Sequence, residues 1–189
     1  IGVKVPQVEI VKSKEELLEK YKKLKGSVTL KGVGHAHKSE HSAIALDIRK
    51  IDDLTVALDN MQKSGAAPDG FIIEEFIQNG RIELLIGFVR DNAHGFLLTL
   101  GEGGVLSEIR NDTQNLVLPV SEEMIVNALK SLKIWPIFEG YRGYKNINLN
   151  PIVKTVMNIQ KFIVNNHEKI IEIEINPFIL TENDGIAVD

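Results

Sequence analysis

The stretch that most constrains this chain lies at its C-terminal end. Ile171-Glu172-Ile173-Glu174-Ile175-Asn176-Pro177-Phe178 alternates apolar and polar residues, and a turn then leads into Asp184-Gly185-Ile186-Ala187-Val188-Asp189. Successive side chains of a strand face opposite ways. Ile171, Ile173 and Ile175 should therefore share one face, with Glu172, Glu174 and Asn176 on the other. Asn183-Asp184-Gly185 is a hairpin signal. It predicts that residues 186–189 return along the first strand and carry Asp189 towards Asn176. Oxygen donors converging from paired strands suit a hard cation such as Mg²⁺, usually held by one or two protein oxygens plus phosphates. The same alternation also describes a plain sheet with one solvated face.

Composition narrows the classes. A chain of 189 residues with 43% hydrophobic content can form one domain or two small lobes with real cores. A formal net charge of −4 argues against a nucleic-acid surface. With no cysteine, there is no thiol nucleophile, thiolate metal site or disulfide framework, as expected of a cytoplasmic protein. No apolar run reaches the length of a membrane span, so no membrane partner is expected. The first residue is isoleucine, so the chain is expected to be a piece of a longer protein whose partner domain lies elsewhere.

Helices and strands alternate through the first third. Gln7 to Val11 reads as a strand. Ser13 and Glu16 read as a capping box before a helix with Leu17, Leu18, Tyr21 and Leu24 on one face, ended by Gly26. Ser27 to Lys31 is a strand, and Ala43 to Ile48 another with Ile44, Leu46 and Ile48 on one side. Asp52 is the expected cap of a helix that buries Leu54, Leu58 and Met61. Phe71 to Ile77 follows as a strand. From Arg81 the pattern becomes a meander, Ile82 to Val89 and Gly95 to Leu100 joined at Asp91-Asn92, and Gly101-Glu102-Gly103-Gly104 reads as a flexible turn. Ser121 opens a helix with the stripe Ile125, Ala128, Leu129 and Leu132. Asn150-Pro151 opens another, lined by Ile152, Val156, Ile159 and Ile163, with Asn150 as cap and Pro151 at the first turn. The change of pattern at Gln78 to Gly80 is the expected lobe boundary.

Several residues have two readings. Lys31 at the end of a buried-looking strand can hold phosphates as a point charge, or simply be solvated. His35, His37 and His41 can bind a metal or carry a phosphoryl group, or sit on a surface loop. Glu74-Glu75 ends a strand leading towards the second lobe. Glu83 interrupts an apolar run, where an unpaired carboxylate would be costly. The glycines at 101–104 let backbone approach a ligand. Arg142, between Gly140 and Gly143, can clamp an anion.

Taken together, Lys31, His37-Lys38-Ser39, Glu75, Glu83, Gly101-Glu102-Gly103-Gly104, Gly140-Tyr141-Arg142-Gly143, Glu174-Ile175-Asn176-Pro177 and Asp189 resemble, in order and spacing, the ATP-grasp region of the nucleoside-diphosphate-forming acyl-CoA synthetases. That family includes ADP-forming acetyl-CoA synthetase and the succinyl-CoA synthetase β-subunit. The resemblance covers nearly the whole chain. It implies a two-lobed α/β (α+β) ATP-grasp fold with a mixed or antiparallel sheet and flanking helices. Residues 1–78 would form the N-terminal lid lobe and residues 79–189 the C-terminal lobe that holds metal and nucleotide.

It also implies a site binding ATP or ADP with Mg²⁺. Lys31 would hold phosphates, Glu75 and Ile77 the adenine, and Glu83 the sugar. Asn176 and Asp189 would hold the magnesium ion. Glu102, Gly103 and Gly104 would meet the phosphohistidine loop of a CoA-binding partner domain or subunit, and His37 would relay phosphate. The implied reaction moves a phosphoryl group between the nucleotide and a histidine, coupled to acyl-CoA formation or cleavage.

The sequence departs from the family pattern at Glu40, Ser42-Ala43, Asn115 and Asn148. These departures open a second reading, a structural or regulatory ATP-grasp module in a larger synthetase. A third is an ATP-grasp ligase of another class, such as a biotin-dependent carboxylase, which would not call for His37-Lys38-Ser39.

Overall fold

The computed structural model describes residues 1–34, 43–104, 107–143 and 145–189. The candidate relay residue His37, with His35 and His41, lies outside them. The chain forms two compact units, Pro6–Gln78 and a second built from Ile1–Val5 together with Asn79–Asp189. The first five residues, assigned to the first lobe on sequence, join the second unit because Ala187 donates its amide to the Lys4 carbonyl at 2.9 Å and Lys4 pairs with Asp184.

The unit Pro6–Gln78 contains β1 (Val8–Val11), α1 (Lys14–Tyr21), β2 (Val28–Val33), β3 (Ile44–Ile48), α2 (Ile51–Ser64) and β4 (Gly70–Glu75). Its antiparallel sheet has the order β1-β4-β2-β3. Leu17 of α1 and Leu54, Leu58 and Met61 of α2 form one core with Val11, Val28, Leu30, Phe71 and Ile73.

Ser13 caps its helix as expected, while the neighbouring signals are only partly realised. Ser13 Oγ accepts the Glu16 amide at 3.2 Å, although the Glu16 carboxylate reaches back to the amide of Lys12 rather than of Ser13. Helix α1 stops at Tyr21, before Gly26. Asp52 is not the cap of α2. Lys50 holds that position without a side-chain bond, and Asp52 and Asp53 sit in the first turn, where carboxylates favour the helix dipole.

The Ile44-Leu46-Ile48 face is also corrected. Ile48 is buried, but Leu46 is 64% exposed. The register of β3 against β2 shifts between Val28 and Leu30, and Asp47 takes a left-handed φ of 52°. Such an irregularity breaks the period of two and turns the following side chain to the opposite face.

The second unit carries β5 (Ile82–Asp91), β6 (Gly95–Glu102), α3 (Ser107–Arg110), β7 (Thr113–Val117), α4 (Glu122–Lys130), α5 (Trp135–Phe138), a 3-10 turn (Tyr141–Gly143), α6 (Asn150–Asn166), β8 (Glu172–Leu180) and β9 (Gly185–Ala187). Its antiparallel sheet has the order β7-β6-β5-β8-β9. Leu84, Ile86 and Phe88 of β5 alternate into a core shared with Leu98, Leu100, Phe178, Ile125, Leu129, Ile152, Val156 and Ile159.

Ser121 caps α4 by accepting the Met124 amide at 3.2 Å. Asn150 does not cap α6; the Asn148 side chain instead accepts the Asn150 amide at 3.0 Å. Among the described residues, no helix is long and apolar enough to cross a membrane.

Candidate functional site

In the first unit, Lys31 is neither at a strand end nor solvated. It lies within β2, and its ammonium is 2.8 Å from the Glu74 carboxylate, with both side chains 7% exposed. The pairing explains the contact. Thr29 stands opposite Glu74 and Lys31 opposite Ile72, so Lys31 and Glu74 are diagonal neighbours on one face. Leu30 and Ile73 point the other way, into the helical core. Two opposite charges removed from water hold each other in place, and either alone would be heavily penalised.

Sequence reasoning weighted Glu75 over Glu74. Glu75 is exposed, and its amide donates to the Gln7 carbonyl at 3.0 Å. The strand ends there, so Ile77 lies beyond it. The period of two, applied to β2 and β4 together, was the signal that could have marked Glu74 as the partner of Lys31.

In the second unit, five of the marked positions, Glu83, Gly103, Gly104, Asn176 and Asp189, meet at one corner. Between the pairs Leu84–Phe178 and Ile86–Ile175, the single residue Leu85 of β5 faces both Asn176 and Pro177 of β8. This bulge re-aims the Asn176 side chain. Its Oδ1 accepts the backbone N–H of Gly104 at 2.9 Å. The Asn176 amide in turn donates to the Asp189 carbonyl at 3.1 Å, so the returning hairpin does bring the two residues together.

Gly103 donates to the Glu83 carbonyl at 2.8 Å. A Cβ on Gly103 would lie 2.5 Å from the Leu84 carbonyl carbon and 2.8 Å from the Leu85 nitrogen. Gly104 has a φ of +83°, and the Glu83 carboxylate occupies the space its Cβ would need. The turn is therefore a tight packing element rather than a flexible one. Its glycines serve close backbone approach within the protein.

Glu102 is directed elsewhere. It continues the Leu98-Leu100 side of β6, and its carboxylate pairs with Arg110 of α3. Its amide donates to the carbonyl of Asp112 at 3.0 Å. Asp112, which sequence reasoning passed over, is 5% exposed and accepts the amides of Lys133 and Ile134 at 3.0 and 3.2 Å. A short polar residue between Asn111 and Thr113 carries no sequence signal of burial. Arg142 is exposed, with a φ of 54°, and its guanidinium stacks 5.2 Å from the Tyr141 ring.

Among the described residues, no three His, Asp or Glu side chains converge on one point. An amide oxygen and a carboxylate at neighbouring positions remain. Two hard oxygen donors fit a Mg²⁺ ion that takes its other ligands from phosphates and water.

A sequence profile of the ATP-grasp domain matches residues 1–189, and the chain belongs to that family. The β subunit of ADP-forming acetate–CoA ligase I from Pyrococcus furiosus is 28% identical over 196 residues, covering 100% of this chain and 84% of the subunit. The ADP-forming acetate–CoA ligase of Methanocaldococcus jannaschii is 29% identical over 97% of this chain, which spans only 27% of that enzyme.

The dinucleotide-forming acetyl-coenzyme A synthetase 1 of Candidatus Korarchaeum cryptofilum, solved with coenzyme A and Ca-AMPCP, superposes with a TM-score of 0.87 at 26% identity, covering all of this chain and 85% of that one. A second structure of that enzyme holds Mg-AMPPCP, with its phosphohistidine segment pointing towards the nucleotide site. It gives a TM-score of 0.83 at 25% identity and covers 100% and 84% of the two chains. The expected fold is thus the observed one, with both sheets antiparallel.

Proposed function

We propose that this chain is the nucleotide-binding domain of a nucleoside-diphosphate-forming acyl-CoA synthetase, working as part of a larger protein or complex in the cytoplasm. The observation that carries the reading is the end-to-end match to the ATP-grasp domain and to subunits of ADP-forming acetate–CoA ligases. In this reading residues 6–78 act as the lid lobe, and residues 79–189 together with the first five residues as the metal lobe. Lys31 neutralises nucleotide phosphates, Glu75 and Ile77 meet the base, and Glu83 takes the sugar. Asn176 and Asp189 hold Mg²⁺, which supplies charge neutralisation on the phosphates. Gly103 and Gly104 lie where the phosphohistidine loop of a CoA-binding partner docks, with Glu102 held beside them by its pair with Arg110, and His37 assists the relay.

The proposed chemistry is stepwise. On the partner, phosphate displaces CoA from the acyl-CoA and leaves an acyl phosphate. A neutral histidine nitrogen attacks its phosphorus and releases the carboxylate. A terminal phosphate oxygen of ADP then attacks the phosphohistidine, forming ATP and freeing the imidazole. Run backwards, the sequence makes acyl-CoA at the expense of ATP. Positioning and charge neutralisation are the protein's main contributions to such a transfer.

Calorimetric titration of the chain with ADP and Mg²⁺ tests this. Saturable binding is expected, and it should be lost in Asp189→Asn and in Lys31→Ala. Asp189→Asn is the cleaner variant, because Lys31→Ala also breaks the buried ion pair with Glu74. Absence of binding at millimolar nucleotide would overturn the reading in favour of a structural or regulatory module.

A further inference from the structure

The Gly103-Gly104 turn has a use that its glycines alone do not reveal. An asparagine amide presents an oxygen or a nitrogen, and only the oxygen can bind a cation. Nothing in the side chain itself selects between the two. Here a backbone donor selects: the Gly104 N–H reaches Asn176 at 2.9 Å and requires an acceptor there. The donor is itself held firmly. Gly103 is tied to the Glu83 carbonyl at 2.8 Å and packed onto the backbone of Leu84 and Leu85, and Gly104 lies against the Glu83 carboxylate. The backbone of Asn176 is fixed from the other side by the bulge and by its bond to the Asp189 carbonyl.

We propose that the backbone amide of Gly104 is the positioning group for Asn176. It orients the side-chain amide so that its oxygen, which has two lone pairs, serves the turn with one and a divalent cation with the other. This rests on the cation role proposed for Asn176 above. It adds that the glycine turn and the cation position are one unit, so that a cation drawing electron density from the shared oxygen is felt at Gly104. The requirement for small residues at 103 and 104 then comes from within the domain and does not depend on a docked partner.

Amide hydrogen exchange and Mn²⁺ broadening, both read by NMR on the whole chain, test this. The Gly104 amide should be protected in the wild type and in Asn176→Asp, whose carboxylate is also an acceptor. In Asn176→Ala it should exchange at least about tenfold faster. The Arg90 amide, bonded to the Ile171 carbonyl at 2.8 Å, serves as the control for an intact sheet.

With ADP present, Mn²⁺ should broaden the Gly104 and Asp189 resonances in the wild type and in Asn176→Asp, and spare them in Asn176→Ala. Unprotected Gly104 in the wild type would overturn the proposal without recourse to any variant. Protection unaffected by Asn176→Ala would overturn it while leaving the cation reading standing, provided Mn²⁺ still broadens Asp189. Protection that depends on Asn176 without any Mn²⁺ broadening would remove the cation reading, and the contact would then be structural only.

Discussion

The two units fix their marked residues by opposite means. In Pro6–Gln78 a side-chain charge sits on the face of a regular sheet, and another side-chain charge holds it, Glu74 against Lys31 at 2.8 Å. In the second unit all the proposed site residues but Glu102, which pairs with Arg110, lie where regularity fails, at a bulge in β8, a pair of glycines and the residues after β9. Backbone amides and carbonyls do the holding there, through Gly104 to Asn176, Gly103 to Glu83 and Asn176 to Asp189. A charge pair in a sheet face is strong but intolerant of losing one member. A backbone-built corner is indifferent to charge but intolerant of added volume. Charge deletion should therefore damage one unit and volume addition the other.

Lys31→Met gives the largest expected effect. It removes the ammonium that faces the buried Glu74 carboxylate and should cost about 3–5 kcal/mol, read as a lower urea midpoint for the unfolding of Pro6–Gln78. Glu74→Leu added to Lys31→Met should recover most of that loss, since two apolar side chains replace two charges. If the double variant is as unstable as the single, the pair is not what sets the stability of this face. In the second unit, Gly103→Ala should cost about 1–3 kcal/mol, because its Cβ would meet the Leu84 carbonyl carbon at 2.5 Å. Gly87→Ala on the same sheet is the control. Its Cβ would meet Thr99 at an ordinary 3.8 Å, and the change should stay within about 0.5 kcal/mol. Equal costs at the two glycines would show that strand propensity, not close approach, governs this corner.

How far the sequence could be read follows the same division. The helical stripes, the meander and the final hairpin were legible, because each repeats a period that only one element satisfies. Leu54, Leu58 and Met61 of α2, and Ile152, Val156, Ile159 and Ile163 of α6, are buried as their spacing demands. Asp189 was expected beside Asn176 because a turn of known chemistry stood between two strands. What stayed hidden required pairing between distant segments. Glu74 becomes the partner of Lys31 only once β2 and β4 are aligned. The break in β3 at Asp47 depends on a local left-handed backbone that aspartate tolerates better than most residues but adopts in only a minority of cases. Gly103 and Gly104 read as a flexible turn because a glycine spared for internal packing looks the same in sequence as one spared for a ligand. Asp112 owes its burial to the amides of Lys133 and Ile134, some twenty residues further on.

The smallest effect expected separates surface charge from both of these cases. Asp184 in the β8–β9 turn has its pKa lowered, first by its hydrogen bond to Lys4, against a smaller opposing push from burial, with help from the Gly185 amide. A carboxyl whose folded pKa lies below its unfolded one contributes stability above the unfolded value, about 3.9 for aspartate. That contribution disappears as pH falls through the folded value. Both side chains are largely solvated, at 56% and 43% exposure, so the contribution is small and salt should weaken it. Lys4→Met should therefore lower the urea midpoint of the second unit slightly at pH 6. The two proteins should converge as the pH is brought well below 3.9. The gap at pH 6 should also narrow in 1 M salt, where exposed charges are screened over about 3 Å. A gap that persists undiminished at low pH would mean that Lys4 holds the hairpin through the packing of its side-chain stem rather than through its charge, since the bond from Ala187 to the Lys4 carbonyl is present in both proteins. The N-terminal segment would then be held by packing and backbone bonds, as the corner is, rather than as the charge pairs are.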